Sequence, residues 1–277
     1  MRITQRITTA VTVALTAWSP ALEAQGLPDH SGFTAVLEER RHGGLVDYEG
    51  LEQHPEQLES YLAELSAVTP EELSAASREA RLALWINAYN ACALKLVIDH
   101  YPIRGAGFPA SLVRSLKGVP GNSIRQISDT WSREFCDVAG KERSLDEIEH
   151  EILRPMGEPR IHFAVNCASR SCPVLAPEAY TAGALDEQLD AAVLRLVGDA
   201  AHYSLERGDR ATLRLNKVLD WYEDDFGGKE GVVAFLLPYL PADDREYIAG
   251  HGPAAVEYFD YDWTLNDTAV FGPDAER

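Results

Sequence analysis

Helical periodicity runs through most of this chain, and strand-like alternation is confined to short, scattered stretches. That imbalance restricts the fold more than any other feature: helices must supply the core, and any sheet has to be small. Residues 33–41 read as helical, as do residues 51–65, where Leu51, Leu58, Tyr61, Leu62 and Leu65 share a face. Thr69-Pro70-Glu71-Glu72 offers an N-cap, a proline at the first helical position and acids in the first turn. The helix it opens, with a break near Ser77, carries Leu82, Ile86, Tyr89, Ala93, Leu96 and Val97 and stops before Pro102. Residues 101–123, rich in Gly and Pro, read as loop. Ser144-Leu145-Asp146-Glu147 has the form of a capping box for a helix to about Leu153. The short apolar run 161–165 reads as a buried strand, and residues 182–197 as the clearest helix. Residues 212–215 look like a strand, followed by a helix with Trp221 and Tyr222. Residues 232–239 and 243–248 look helical, and 256–263 look like a late strand. The expected class is α+β, a helix-rich single domain with a small sheet.

The first residues bear on compartment. Arg2 and Arg6 precede an uncharged, mostly apolar run over residues 7–18, then small residues with cleavage sites after Ala24 or Ala21. We expect residues 1–24 to be a signal peptide and 25–277 to form one exported domain, periplasmic or secreted. No apolar run long enough to span a bilayer follows, so no integral membrane segment is expected after cleavage. The net charge is −19, and loss of Arg2, Arg6 and Glu23 with the leader takes it to −20. Such a chain repels nucleic acid and anionic lipid, which leaves an unidentified small molecule or peptide as the expected partner. One stretch departs from this balance. Between Asp99 and Asp129 there is no acid, yet Arg104, Arg114, Lys117 and Arg125 occur; they either draw an anionic ligand or decorate a solvated loop.

Export permits disulfides, and Cys92, Cys136, Cys167 and Cys172 allow three full pairings. Cys92 and Cys136 sit among apolar neighbours and read as core thiols. Cys167 and Cys172 lie in a different setting, the stretch from Pro159 to Pro173. As a strand, it would put Arg160, His162, Ala164 and Asn166 on one face before breaking into a small-residue loop with two thiols and the hydroxyls of Ser169 and Ser171. A thiol beside an imidazole is a nucleophile arrangement, whereas a buried structural thiol or a local disulfide is the plainer reading. Two other stretches use polar residues where a core alone does not need them. Asn87 and Asn90 share a helical face among Trp85, Tyr89 and Leu94, which favours amides holding backbone over ligand contact. On a helical wheel from Leu145, Glu149 falls at about 40°, inside the apolar stripe, with His150 at its border. A carboxylate there needs a partner: acid–base work and an ion pair with an arginine such as Arg160 are both open. His150, His162 and a cysteine have zinc-ligand chemistry but no recognised spacing, so neither metal nor cofactor is expected.

The segments LWINAYNA at 84–91, SLDEIEHEILR at 144–154, PRIHFAVNCASRSCPVL at 159–175, AYTAGALDEQLD at 179–190, WYEDDF at 221–226 and YDWTLN at 261–266 resemble the DUF547 family. The resemblance covers about residues 45–267. It implies a domain found in exported bacterial proteins and in larger eukaryotic ones, some joined to glutaredoxin-like or DEP modules, and it brings no established reaction. Relatives with serine at the second thiol position point to Cys167 more than to Cys172. Three functions stay open. The first is a thiol-dependent hydrolase or acyl-transfer enzyme. In it Cys167 is the nucleophile, His162 or His150 the base and Glu149 its orienting carboxylate, with Asn87, Asn90, Asn166, Ser169 and Cys172 around the substrate. The second is a non-catalytic binding or scaffold domain, and the third is thiol–disulfide exchange through Cys167 and Cys172.

Overall fold

The structure is a computed structural model that describes residues 26–104 and 119–272. The expected leader, and Arg114 and Lys117 of the basic stretch, lie outside the described residues. The class is α+β, rich in helix, with three small sheets.

Helices α1 (Ser31–Arg40), α2 (Tyr48–Gln53), α3 (Glu56–Ala67) and α4 (Pro70–Ala75) precede α5 (Arg78–Ile98); α2 and α3 pack on α5, α1 packs on α3, and a short ribbon of β1 (Arg41–His42) and β2 (Leu45–Val46) follows α1. The helix expected over 51–65 is two helices, because Pro55 lacks the N–H that a continuous helix would need. Thr69 closes a full capping box with Glu72, and Ser77 caps α5 where the break was expected. From Leu82 to Leu94 every residue of α5 is buried, so this helix is surrounded on all sides and organises the first hydrophobic cluster.

The hairpin of β3 (Cys136–Val138) and β4 (Lys141–Arg143) hangs on the end of α3 through Ala139 and Gly140, whose N–H groups donate to the carbonyls of Leu65 and Ser66. It also carries Cys136 to Cys92 of α5, and the two form a disulfide. This corrects the reading of both as core thiols: apolar neighbours suit a buried disulfide equally well, and a separation of 44 residues carries no signal of pairing.

Ser144 accepts from the Glu147 N–H, but Glu147 turns to Arg143 and Lys141 rather than closing the box. The helix that follows is a π-helix over Glu147–Leu153, a geometry frequent at functional sites. Residues 161–165 are also corrected. They belong to a 3₁₀ helix, Pro159–Phe163, and the turn after it. Pro159 starts it, Glu158 caps it, and residues 161–165 are all buried, so there is no exposed face to distinguish strand from helix.

The second hydrophobic cluster is built on α6 (Leu185–Val197) and a three-stranded sheet of β5 (Tyr203–Glu206), β6 (Thr212–Leu215) and a later strand. Helices α7 (Val218–Trp221), α8 (Gly228–Leu236) and α9 (Ala242–His251) lead to that strand, β7 (Ala255–Tyr258), and a last turn α10 (Thr268–Phe271) follows. β6 is central, antiparallel to β5 and parallel to β7. The late strand therefore ends at Tyr258, short of Trp263. Phe163 packs into the second cluster while Ile161, Ala164 and Val165 pack into the first, so the segment bearing the thiols runs along the seam between them.

Candidate functional site

Two asparagines fix the thiol loop from below. Asn90 of α5 donates to the Ala164 carbonyl and accepts from the Asn166 N–H, at 2.9 and 2.8 Å. Asn166 accepts from the Ala168 N–H and donates to the Pro173 carbonyl. Asn87, 0% exposed, clamps Tyr180 in the same way through both its N–H and its carbonyl. These three amides are engaged with backbone, and none of them is among the residues that line the cavity described below. From the other side, residues 262–264 dock the loop: the N–H groups of Arg170 and Ser171 donate to the carbonyls of Thr264 and Asp262. Between these supports Ala168 is held at φ 57°, a left-handed conformation that non-glycine residues adopt at a cost and that clusters at functional sites.

The two free sulfurs are 2.9 Å apart, and the Cys167 N–H donates to Cys172 Sγ, also at 2.9 Å. The hydroxyls of Ser169 and Tyr261 lie 3.1 Å from Cys167 Sγ and 2.8 Å from each other. Burial alone would raise the Cys167 pKa. Hydrogen bonds from Cys172, Ser169 and Tyr261 to its ionised form outweigh that, and the thiol is shifted below its ordinary value. Cys172 moves strongly the other way, because it is buried and faces the Cys167 charge. Cys167 is thus the more easily ionised of the two thiols and Cys172 the less.

Across the cleft stands His162, its side chain 1% exposed. Its ring stacks on Tyr222 with centroids 3.9 Å apart. Nε2 donates to Asp225 at 2.7 Å, and Asp225 accepts both arms of Arg154. That guanidinium, with smaller help from His162, holds the Asp225 carboxyl down at about 2. Nδ1 of His162 has no hydrogen bond and lies 3.8 Å from Glu149 Oε1. With the proton placed on Nε2 by Asp225, Nδ1 carries the lone pair. Desolvation lowers the His162 pKa despite the two carboxylates, so the ring rests neutral and able to accept a proton. Glu149, 7% exposed, opposes ionisation of the neighbouring Tyr222 hydroxyl. Arg160 is committed elsewhere, to Glu158, Asp186 and Asp190, so it is not the partner of Glu149. His150 sits at the rim beside Arg154 and Asp146.

Cys167, Cys172, His162, Glu149 and His150 all line one cavity of about 260 Å³, whose outer wall is aromatic: Trp131, Trp221, Tyr222, Tyr261 and Trp263. No cysteine–histidine hydrogen bond is present; the direct partners of Cys167 are a thiol and two hydroxyls. Tyr261, Asp225, Tyr222 and Arg154 were not singled out as site residues from the sequence. Arg154 falls within SLDEIEHEILR and the others within WYEDDF and YDWTLN, so the signal was polar and aromatic residues concentrated in the recognised segments. Of the basic stretch, Arg125 lies over the Trp263 ring at 4.7 Å. Among the described residues no group of three or more His, Cys, Asp or Glu is arranged to hold a metal ion, and no helix is long and apolar enough to cross a membrane.

Fold and site define a helix-rich α+β protein with a supported thiol pair at the base of an aromatic cleft. More particularly, residues 73–196 match the family model described as a protein of unknown function, DUF547. The match holds Glu149, His162 and both free thiols but stops before Tyr222, Asp225 and Tyr261. None of the curated proteins and none of the solved structures matches the chain.

Proposed function

We propose that this protein is an exported thiol-dependent enzyme of hydrolase or acyl-transfer type, with Cys167 as its nucleophile. The observation that carries this reading is the set of three hydrogen-bonding groups, the Cys172 thiol and the Ser169 and Tyr261 hydroxyls, within 3.1 Å of Cys167 Sγ, which favour its ionised form at the wall of the cleft. The Cys167 sulfur adds to an acyl carbon and the leaving group departs with a proton drawn from solvent, giving a thioester. Water, or an amine or alcohol in transfer, then attacks the thioester, a base takes its proton and returns it to solvent, and the carbon–sulfur bond breaks to release Cys167. His162 fits the base: its ring is oriented by Asp225, its Nδ1 is without a hydrogen bond, and Glu149 is near enough to stabilise the imidazolium. His150, at the rim and 3.8 Å from an Asp146 carboxylate that is itself 48% exposed, fits that role less well. The buried Cys92–Cys136 disulfide and the leader-like start both support residence of the mature chain, from about residue 25, outside the cytoplasm as one domain.

The test is alkylation by iodoacetamide across pH. Cys167 should react fastest, with a midpoint below that of a free thiol, and Cys167→Ser should abolish the labelling without loss of fold. Uniformly slow labelling of both free cysteines overturns the proposal and leaves a scaffold domain. The contact of 2.9 Å between the sulfurs favours a second reading, thiol–disulfide exchange. In that case a Cys167–Cys172 bond forms and opens with dithiothreitol, and Cys172→Ser removes the activity, whereas an acyl-transfer enzyme keeps part of its rate.

A further inference from the structure

Resting on the nucleophile reading above, we infer that the cleft selects a cationic substrate: an ester or amide carrying an alkylammonium group, seated on the rings of Trp221, Tyr261 and Trp263 beside the carboxylates of Asp146 and Glu149. Two independent properties of the wall lead there. The first is shape and surface. Trp221, Tyr261 and Trp263 touch one another with centroids 4.6 to 5.6 Å apart, and Trp221 is left 44% exposed at the mouth. Exposed aromatic surface of this kind marks a binding site more often than it occurs by chance. The faces of such rings attract cations within about 6 Å of the centroid, and the Arg125 guanidinium already occupies one at Trp263.

The second property is charge. Asp146 and Glu149 both line the cavity, and among the described residues no lysine or arginine does. Among the described residues neither carboxylate is paired with a lysine or arginine; their charged neighbours are His150 and His162 at 3.8 Å. An ionised Cys167 adds a third negative charge. A neutral apolar ligand would explain the rings but not the carboxylates. An anionic ligand would meet two carboxylates, while the guanidiniums nearby are already engaged, Arg154 by Asp225 and Arg125 by the Trp263 ring. A ligand with a compact positive group satisfies both walls, and the whole chain, at −19, draws it in. The cavity of about 260 Å³ has room for an alkylammonium ester or the end of a lysine-like side chain, not for a folded partner.

Two thiol reagents of equal reactive group and opposite charge test this: the trimethylammonioethyl and the sulfonatoethyl methanethiosulfonates. With each, the Cys167 thiolate attacks the sulfenyl sulfur, a mixed disulfide forms, and methanesulfinate leaves with the electron pair. Rates are normalised to those with a free small thiol. The cationic reagent should be favoured by about tenfold or more, and Asp146→Asn and Trp221→Ala should each cut that preference by about threefold or more. A ratio near one, or one favouring the anion, overturns the inference while leaving the nucleophile intact. If neither reagent modifies Cys167, the nucleophile reading fails instead. The cleft is then judged by calorimetry on Cys167→Ser with choline and its uncharged isostere 3,3-dimethylbutanol. Tighter choline binding sustains the inference, and equal or absent binding overturns it.

Discussion

Asn90 joins the long central helix to the turn below Cys167 by one donated and one accepted hydrogen bond, both in the interior. Removing its amide strands an N–H and a carbonyl at once, so Asn90→Ala should lower stability by about 2–4 kcal/mol. Asn90→Asp should not rescue it, since the Ala164 carbonyl needs a donor. Urea denaturation read by tryptophan fluorescence checks both, and a loss below about 0.5 kcal/mol in Asn90→Ala would contradict the clamp. A second prediction concerns Tyr222, which stacks on His162 and has Glu149 for a neighbour. Tyr222→Phe keeps the stacking and removes the hydroxyl beside a buried carboxylate, so it should destabilise by about 1–3 kcal/mol; an unchanged denaturation midpoint would show that hydroxyl to be idle. At this scale much is legible in the sequence. Two asparagines three apart in an apolar helix must have partners, and a glutamate inside an apolar stripe must be buried with one. The identity of the partners is not legible. Asp225 reaches His162 over 63 residues and Tyr261 reaches Cys167 over 94, distances at which one sequence carries no pairing signal.

The disulfide couples α5 to the hairpin β3–β4 and closes a loop with a sequence separation of 44. By chain entropy alone a loop of that length is worth about 4 kcal/mol. The double substitution Cys92→Ala with Cys136→Ala should therefore lower stability by several kcal/mol, and dithiothreitol should do the same to the natural chain. Calorimetry with and without reductant gives the answer, and an unshifted transition would mean the bridge is absent in solution. Element boundaries were readable where local chemistry sets them: the Thr69 box, the Ser77 cap and the stripe of α6 need no tertiary context. They failed where burial is two-sided. Residues 161–165 are apolar on every face, which suits a strand and a 3₁₀ turn equally, and Pro159 with the Glu158 cap tips the outcome to the turn.

Across the whole molecule, three histidines are buried in a form that resists protonation: His30, His162 and His202. Burial lowers His30 to about 4 and lowers the other two as well. In each case the unfolded chain takes up protons first, from pH near 6.5 downward, so stability falls as pH drops through that window, for His30 until about 4. Asp225, held at about 2, keeps its contribution above pH 3.8 and loses it between there and 2. The denaturation midpoint should thus decline steadily from pH 7 to 4, and His30→Asn, which tolerates the left-handed backbone at this position, should flatten the decline. A midpoint independent of pH over this range would refute the assignment. The α+β class was legible as an excess of helical over strand periodicity; the seam was not, because it is a property of two clusters meeting. That seam is closed by the far end of the chain, and the timing of synthesis follows from it. When Cys167 is made, Tyr261 is still 94 residues away, roughly 5–20 s of translation. Until that tyrosine arrives the thiol lacks one of its three donors, so the nascent chain carries an unactivated cysteine past every thiol and carbonyl it meets before folding is complete.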